Sequence, residues 1–256
     1  MKAELLLRKL KDNLYKGYRI EKYVINDGQK HPVAIICPGG AYRFVASFVE
    51  GLPFARWLNK KGCSAFVVHY ACGKKAGYPA PQLDLARAIK EIAAHSEEWM
   101  LDMEGYSLWG SSAGGHLAAS FGTKVMGYEL YTAPRPGTII LSYPVISMGE
   151  KAHAGSRENL LGSAPSVEML ELASVERQIT SDYPPCFVWT GLDDATVDAD
   201  NSRMLAAALE AAAVPHRFVT YEGVDHGVGL GEGLPCEGWI EKAFEFWEEQ
   251  RKRIKP

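Results

Sequence analysis

The sequence predicts an α/β protein built on a mostly parallel sheet with helices on both faces. Three observations carry this reading. Short, continuous apolar runs such as "SAFVVHY" and "CFVWTG" recur along the chain, stretches of helical spacing separate them, and glycine or proline marks most of the changes between the two. Runs without polar alternation are what strands buried on both faces require, and their alternation with helices is the signature of parallel crossover connections.

The elements follow in order. "YRIEKYVI" (18–25) alternates like an edge strand, and "PVAIICPGG" is an apolar run closed by a Pro-Gly-Gly turn. "LPFARWLNKKG" has helical spacing and stops at Gly62 before the strand "SAFVVHY". "APQLDLARAIKEIAAHSEEWM" reads as one helix opened by Pro81, running into a short buried strand "YSLWG". A helix over 112–123, a strand "GTIILSYPVI", an irregular stretch over 147–163 and a helix near 166–172 come next. The strand "CFVWTG", the helix "DADNSRMLAAALEAAAV", the strand "HRFVTYE" and an amphipathic helix over 237–251 complete the series.

At 256 residues the chain suits one large domain (1–256) with a well-buried core. The formal charge of −3 has no long block of either sign, so nothing in it attracts nucleic acid; the terminal "RKRIK" (251–255) reads as a solvated helix end, where cations favour the macrodipole. The five cysteines, Cys37, Cys63, Cys72, Cys186 and Cys236, are odd in number and form no CxxC pair, which suits free thiols in a reducing compartment. The start, "MKAELLLRKLKDNLY", is interrupted by charges and lacks a small-residue cleavage site, so a cytoplasmic location is expected. No apolar run is long enough to span a bilayer, and no membrane partner is expected.

One stretch fits neither a plain strand nor a plain helix. In "SLWGSSAGGHLAA" the residues Gly110-Ser111-Ser112-Ala113-Gly114 match G-x-S-x-G between a strand and a helix, where a serine is held in a tight turn at the carboxyl edge of the sheet. A serine hydroxyl becomes a nucleophile only when a base takes its proton. His226, in the glycine-rich "EGVDHGVGLG" after the last strand, is the best-placed of seven histidines. His116, four residues after Ser112 on the same helix, reads as a packed histidine beneath the turn. The acid that orients the base is sought between the two, where "WTGLDDATVDADNS" offers Asp193 and Asp194 at a strand end; Asp198, Asp200 and Asp225 read as cap or loop residues. "CPGGAY" after the first core strand can supply Gly40 and Ala41 backbone N–H groups, and the first turn of the serine helix that of Ala113, as donors to an oxyanion. Tyr42, Arg43 and Phe44, just beyond, are candidates for substrate contact or for loop packing.

Together these residues resemble the α/β-hydrolase superfamily, and within it the small esterases related to acetyl xylan esterases and the hormone-sensitive-lipase-like carboxylesterases. The resemblance covers about residues 31–250: "PGGAY" is similar to the HGGG-type oxyanion loop, "GSSAGGHLAAS" to the nucleophile turn, "GLDDATVDADNS" to the acid turn and "DHGVGL" to the histidine loop. The family's acid lies in D-x-x-V, which Asp194 fits and Asp193 does not. Pro38 in place of histidine, Ala41 in place of the last glycine and Asp198 in place of a frequent proline depart from the pattern. The resemblance implies the α/β-hydrolase fold with an eight-stranded, mostly parallel sheet, and it implies no metal or organic cofactor. The polar connection over 147–172 is too short for a large lid domain. The activity expected is hydrolysis of short-chain acyl esters, with an O-acetylated sugar as one leaving group, by Ser112, Asp194 and His226 through an acyl-enzyme. An amidase or peptidase of the same fold shares every one of these residues. A non-catalytic binding protein on this scaffold is the alternative of a different class; it predicts no labelling of the serine by a fluorophosphonate.

Overall fold

The computed structural model describes residues 17–254, so the N-terminal segment 1–15 and the last residue of the basic tail, Lys255, lie outside the described residues. Seven strands form one sheet: β1 (Arg19–Tyr23), β2 (His31–Cys37), β3 (Ser64–His69), β4 (Leu101–Ser111), β5 (Thr138–Ser142), β6 (Cys186–Gly191) and β7 (His216–Tyr221). Their spatial order is β1-β3-β2-β4-β5-β6-β7, with β1 antiparallel to β3 and every other pair parallel. The expected eight strands are therefore seven among the described residues, because the chain from Gly17 to β2 supplies only one strand ahead of the parallel set.

Eight helices accompany the described strands: α1 (Ser47–Glu50), α2 (Leu52–Lys60), α3 (Ala80–Ala94), α4 (Ser112–Phe121), α5 (Ala154–Leu161), α6 (Val167–Ala173), α7 (Asp200–Ala211) and α8 (Trp239–Ile254). Alternation along the strands divides the core into two layers. Ile35, Phe66, Leu108, Ile139 and Val188 face one way, against Leu85 and Ile89 of α3, Leu117 of α4 and Leu205 of α7. Ile36, Val67, Trp109, Ile140 and Phe187 face the other, against Phe54 and Leu58 of α2 and Trp239 and Trp247 of α8. Both faces of the sheet are thus closed by apolar helix stripes, as parallel strands require.

Several boundaries differ from the sequence reading, among them the strand read in "GTIILSYPVI", which ends at Ser142, and three have a local cause. Helix α3 stops at Ala94 instead of running to Met100; His95 caps it and stacks on Trp99 with ring centroids 4.4 Å apart, while Met100 turns the chain with φ +50°. Strand β4 starts at Leu101, well before "YSLWG", because its pairing with β2 jumps from Pro32↔Asp102 to Ala34↔Ser107 and the looped-out polar residues break the apolar pattern. The 147–163 stretch contains α5, whose polar composition hides it, started by His153, whose Nδ1 accepts the Ser156 N–H.

The parallel register sets the carboxyl ends of the central strands side by side: Cys37 lies beside Gly110, Ser111 beside Ser142, and Ser142 beside Trp189. The loops leaving that edge therefore converge.

Candidate active site

The turn from β4 into α4 puts Ser112 at this edge with φ +52°, a left-handed conformation that an L-residue adopts only under constraint. The constraint comes from the flanking glycines. A Cβ on Gly114 would stand 2.0 Å from the Cys37 carbonyl oxygen, and one on Gly110 2.3 Å from the Gly114 carbonyl oxygen. Strand, helix and the end of β2 can close on one another only without those side chains. Ser112 is buried, with 7% of its surface exposed.

His226, in the loop after β7, brings its Nε2 to 2.8 Å from the Ser112 hydroxyl oxygen. Its Nδ1 stands 2.7 Å from a carboxylate oxygen of Asp194, in the loop after β6. The Asp194 side chain has no exposed surface, and its other oxygen accepts the N–H groups of Thr196 and Val197 at 2.9 and 2.8 Å. With donors converging on Asp194, Nδ1 is the protonated nitrogen of the imidazole, which leaves the Nε2 lone pair facing the Ser112 hydroxyl. A hydroxyl, an imidazole and a buried carboxylate in this line can draw a proton off the hydroxyl and stabilise the cation that results.

The loop after β2 runs alongside. The Pro38 carbonyl accepts the Tyr70 hydroxyl at 2.5 Å, the Gly39 N–H donates to Glu50 at 2.6 Å, the Ala41 carbonyl accepts from Asn159 at 2.9 Å and the Tyr42 carbonyl from the Gly73 N–H at 2.8 Å. The N–H groups of Gly40, Ala41 and Ala113 have no acceptor among the described residues. Ala41 and Tyr42 have φ of +55° and +58°, so the left-handed turn is made without glycine there. Glu50, Tyr70, Tyr143 and Asn159, which hold these loops, carry no motif that sequence reading could have used.

Of the other residues singled out, Tyr42 is fully buried and its hydroxyl meets His116 Nδ1 at 2.8 Å, so it packs the loop and does not face a substrate. Arg43 is exposed. His116 is fully buried, with Nε2 donating to the Ala173 carbonyl at 2.8 Å and Nδ1 accepting from Tyr42; burial brings its pKa down to about 4. Asp193 accepts the Gly223 N–H, and Asp225 accepts those of Ala195 and His226, which makes both loop fasteners. Asp198 and Asp200 pair with Lys151. His153 shares the wall of a cavity with Asp194, Ala195 and Thr196, and burial lowers its pKa.

An open groove of about 900 Å³ starts at the loop after β2, lined by Arg43, Lys74, Tyr78, Glu158, Asn159 and Met169 among others. Among the described residues no group of three or more His, Cys, Asp and Glu is disposed to hold a metal ion, and no helix is long and apolar enough to cross a membrane.

A seven-stranded sheet of this order, with a serine on the turn after β4 and the acid and histidine on later loops, has the α/β-hydrolase fold. The solved acetyl ester-xyloside bifunctional hydrolase from Caldicellulosiruptor lactoaceticus superposes with a TM-score of 0.84 at 33% identity, covering 93% of this chain and 89% of that one. A Butyrivibrio fibrisolvens protein described as endo-1,4-beta-xylanase B is 31% identical over 91% of this chain and 38% of its own length. An acetylxylan esterase of Xylanibacter ruminicola is 30% identical over 76% of this chain and 40% of its own. The chain thus spans about two fifths of each of those two relatives. The BD-FAE family model matches residues 23–209, and the chain belongs to that family.

Proposed function

We propose that the protein is a carboxylic ester hydrolase acting on short acyl esters, with O-acetylated sugars as the substrate class, through an acyl-enzyme on Ser112. The observation that carries this reading is the unbroken line Ser112 hydroxyl, His226 imidazole, buried Asp194 carboxylate at 2.8 and 2.7 Å. His226 takes the hydroxyl proton as the Ser112 oxygen adds to the ester carbonyl carbon. The carbonyl oxygen becomes an oxyanion, met by the unpartnered N–H groups of Gly40, Ala41 and Ala113. As the intermediate collapses, the bond to the leaving oxygen breaks and His226 returns the proton to it. Water then adds to the acyl-enzyme with the same histidine as base, releasing the acid and restoring the hydroxyl.

The acetylated-sugar reading is supported by the names of the relatives, an acetylxylan esterase and an acetyl ester-xyloside hydrolase, and by a groove beside the donor loop whose lining mixes apolar residues with Arg43, Lys74, Glu158 and Asn159. The test is hydrolysis of p-nitrophenyl acetate, butyrate and octanoate by wild type and by Ser112→Ala, together with fluorophosphonate labelling. Activity highest on acetate, lost in the variant, with labelling confined to Ser112, is the expected result. Equal rates for both proteins and an unlabelled serine would sink the proposal and favour a binding role.

A further inference from the structure

Glu50 is 4% exposed, yet it ends the one-turn helix α1 just past the donor loop, where a buried carboxylate serves no packing need. Both of its oxygens are used. One accepts the Gly39 N–H at 2.6 Å, and the other accepts the Tyr143 hydroxyl proton at 2.9 Å. The Tyr143 oxygen in turn accepts the Gly229 N–H at 3.2 Å, and its ring meets the His226 ring edge-on with centroids 4.8 Å apart. One side chain therefore ties together the donor loop after β2, the turn after β5 and the loop that carries His226. Space around it is closed: a Cβ on Gly39 would sit 2.8 Å from both the Glu50 carboxylate and Ser112 Cβ, so only the Gly39 backbone separates Glu50 from the nucleophile.

We propose that Glu50 is a positioning residue for the reaction at Ser112: its carboxyl sets the donor loop and, through Tyr143, the His226 loop in one geometry about the nucleophile. The inference rests on the ester-hydrolase reading above. Consuming the Gly39 N–H turns that amide away from the substrate and leaves those of Gly40 and Ala41 as the free donors. Tyr143 has φ +38°, so the chain holds it in a constrained turn at the position where its hydroxyl meets Glu50. Burial raises the Glu50 pKa, while the Gly39 N–H and the Tyr143 hydroxyl oppose that rise.

The experiment measures kcat and KM on p-nitrophenyl acetate for wild type, Ser112→Ala, Glu50→Ala, Glu50→Gln and Tyr143→Phe, well below the melting temperature of each. Misplacement of reacting groups by a fraction of an ångström to an ångström costs on the order of a hundredfold, so Glu50→Ala is expected to lose about that factor in kcat with KM within about threefold. Glutamine keeps the length and one acceptor for Gly39, and its amide can donate to the Tyr143 oxygen, so Glu50→Gln is expected to recover most of the loss. A purely structural role would lower the melting temperature of Glu50→Ala and Glu50→Gln alike and leave kcat per folded molecule intact; that result overturns the proposal. If Glu50→Ala does not fold, Tyr143→Phe decides, since it keeps the ring on His226 and removes only the link: about a tenfold loss in kcat supports the role, and an unchanged kcat overturns it. Inactive wild type with an unlabelled Ser112 removes the ester-hydrolase reading and this proposal with it, whereas active wild type, dead Ser112→Ala and unimpaired Glu50→Ala remove this proposal alone.

Discussion

The ground around Ser112 and the groove that starts at Arg43 adjoin each other and are built on opposite rules. Around Ser112, backbone atoms approach so closely that side chains are forbidden, and the polar side chains of Glu50, Tyr70, Asp194 and His226 all have protein partners. Along the groove, Arg43, Lys74 and Glu158 are exposed, with no ion-pair partner among the described residues. The difference teaches where each property is stored. Chemistry needs atoms fixed to within fractions of an ångström, and fixing them takes burial and complete hydrogen bonding. Recognition of a varied polar ligand needs charges and donors that remain free to pair with it.

The comparison breaks most visibly at the acid. Asp194→Asn keeps the size of the side chain but replaces one acceptor with a donor, which favours the wrong imidazole tautomer. The expected loss is about 10⁴-fold in kcat, equivalent to about 5 kcal/mol of barrier, with little change in melting temperature. Asp193→Asn, one residue away and bonded only to the Gly223 amide, is expected to retain activity within about threefold. Steady-state kinetics on p-nitrophenyl acetate separates the two, and equal losses would move the orienting role away from Asp194.

Glycines test the same division through stability. Gly114→Ala would force a methyl group to 2.0 Å from a β2 carbonyl oxygen, and an overpacked backbone contact of this kind is expected to destabilise by about 3 kcal/mol or more. Gly77, on the groove, has nothing within 4 Å of its would-be Cβ and no left-handed φ. Gly77→Ala is expected to stay within about 0.5 kcal/mol of wild type, or to gain slightly from lower unfolded-state entropy. Urea unfolding of both variants reads the contrast.

How much of this was legible beforehand follows the same line. The sheet, its helices on both faces and the approach of Ser112, Asp194 and His226 to one another could be read because glycine punctuation and apolar periodicity are local, and because a strand-to-helix turn of this kind needs small residues at fixed offsets. The Asp194 choice leaned on resemblance, since Asp193 and Asp194 are indistinguishable by spacing; only in space does one meet His226 and the other Gly223. Helix α5 escaped notice because it has no clear apolar stripe, its buried residues being only Ser156 and Leu160. Glu50 escaped because a glutamate in a short amphipathic segment looks like a solvent-facing residue until a chain 93 positions away delivers Tyr143 to it. Long-range hydrogen bonds leave no periodic trace.

His116 sharpens the comparison by pH. It is locked between Tyr42 and Ala173, and burial lowers its pKa to about 4 from the ordinary 6.5. The unfolded chain then binds a proton that the folded one refuses, so this histidine contributes stability that is lost as pH falls from 6.5 through 4. His116→Gln is expected to be less stable than wild type at pH 7, with the gap narrowing by about 2 to 3 kcal/mol between pH 7 and pH 4.5. A gap that stays constant across that range, in urea unfolding at the two pH values, would mean that the folded protein protonates His116 as readily as the unfolded chain.

The smallest effects belong to the groove. Arg43 and Lys74 sit in high-dielectric surroundings, where one exposed charge on a polar ligand contributes on the order of 1 kcal/mol or less and is screened by salt. Arg43→Ala and Lys74→Ala are therefore expected to raise KM for an acetylated oligosaccharide by about two- to fivefold at low ionic strength, with kcat near that of wild type. A small p-nitrophenyl ester reaches less of the groove, so its KM should move less than that of the oligosaccharide. Raising the salt should shrink the oligosaccharide effect. If Arg43→Ala instead lowers kcat on both substrates equally, Arg43 acts on the donor loop it leaves, through the Gly40 and Ala41 amides, and the boundary between the fixed centre and the adaptable groove lies beyond it.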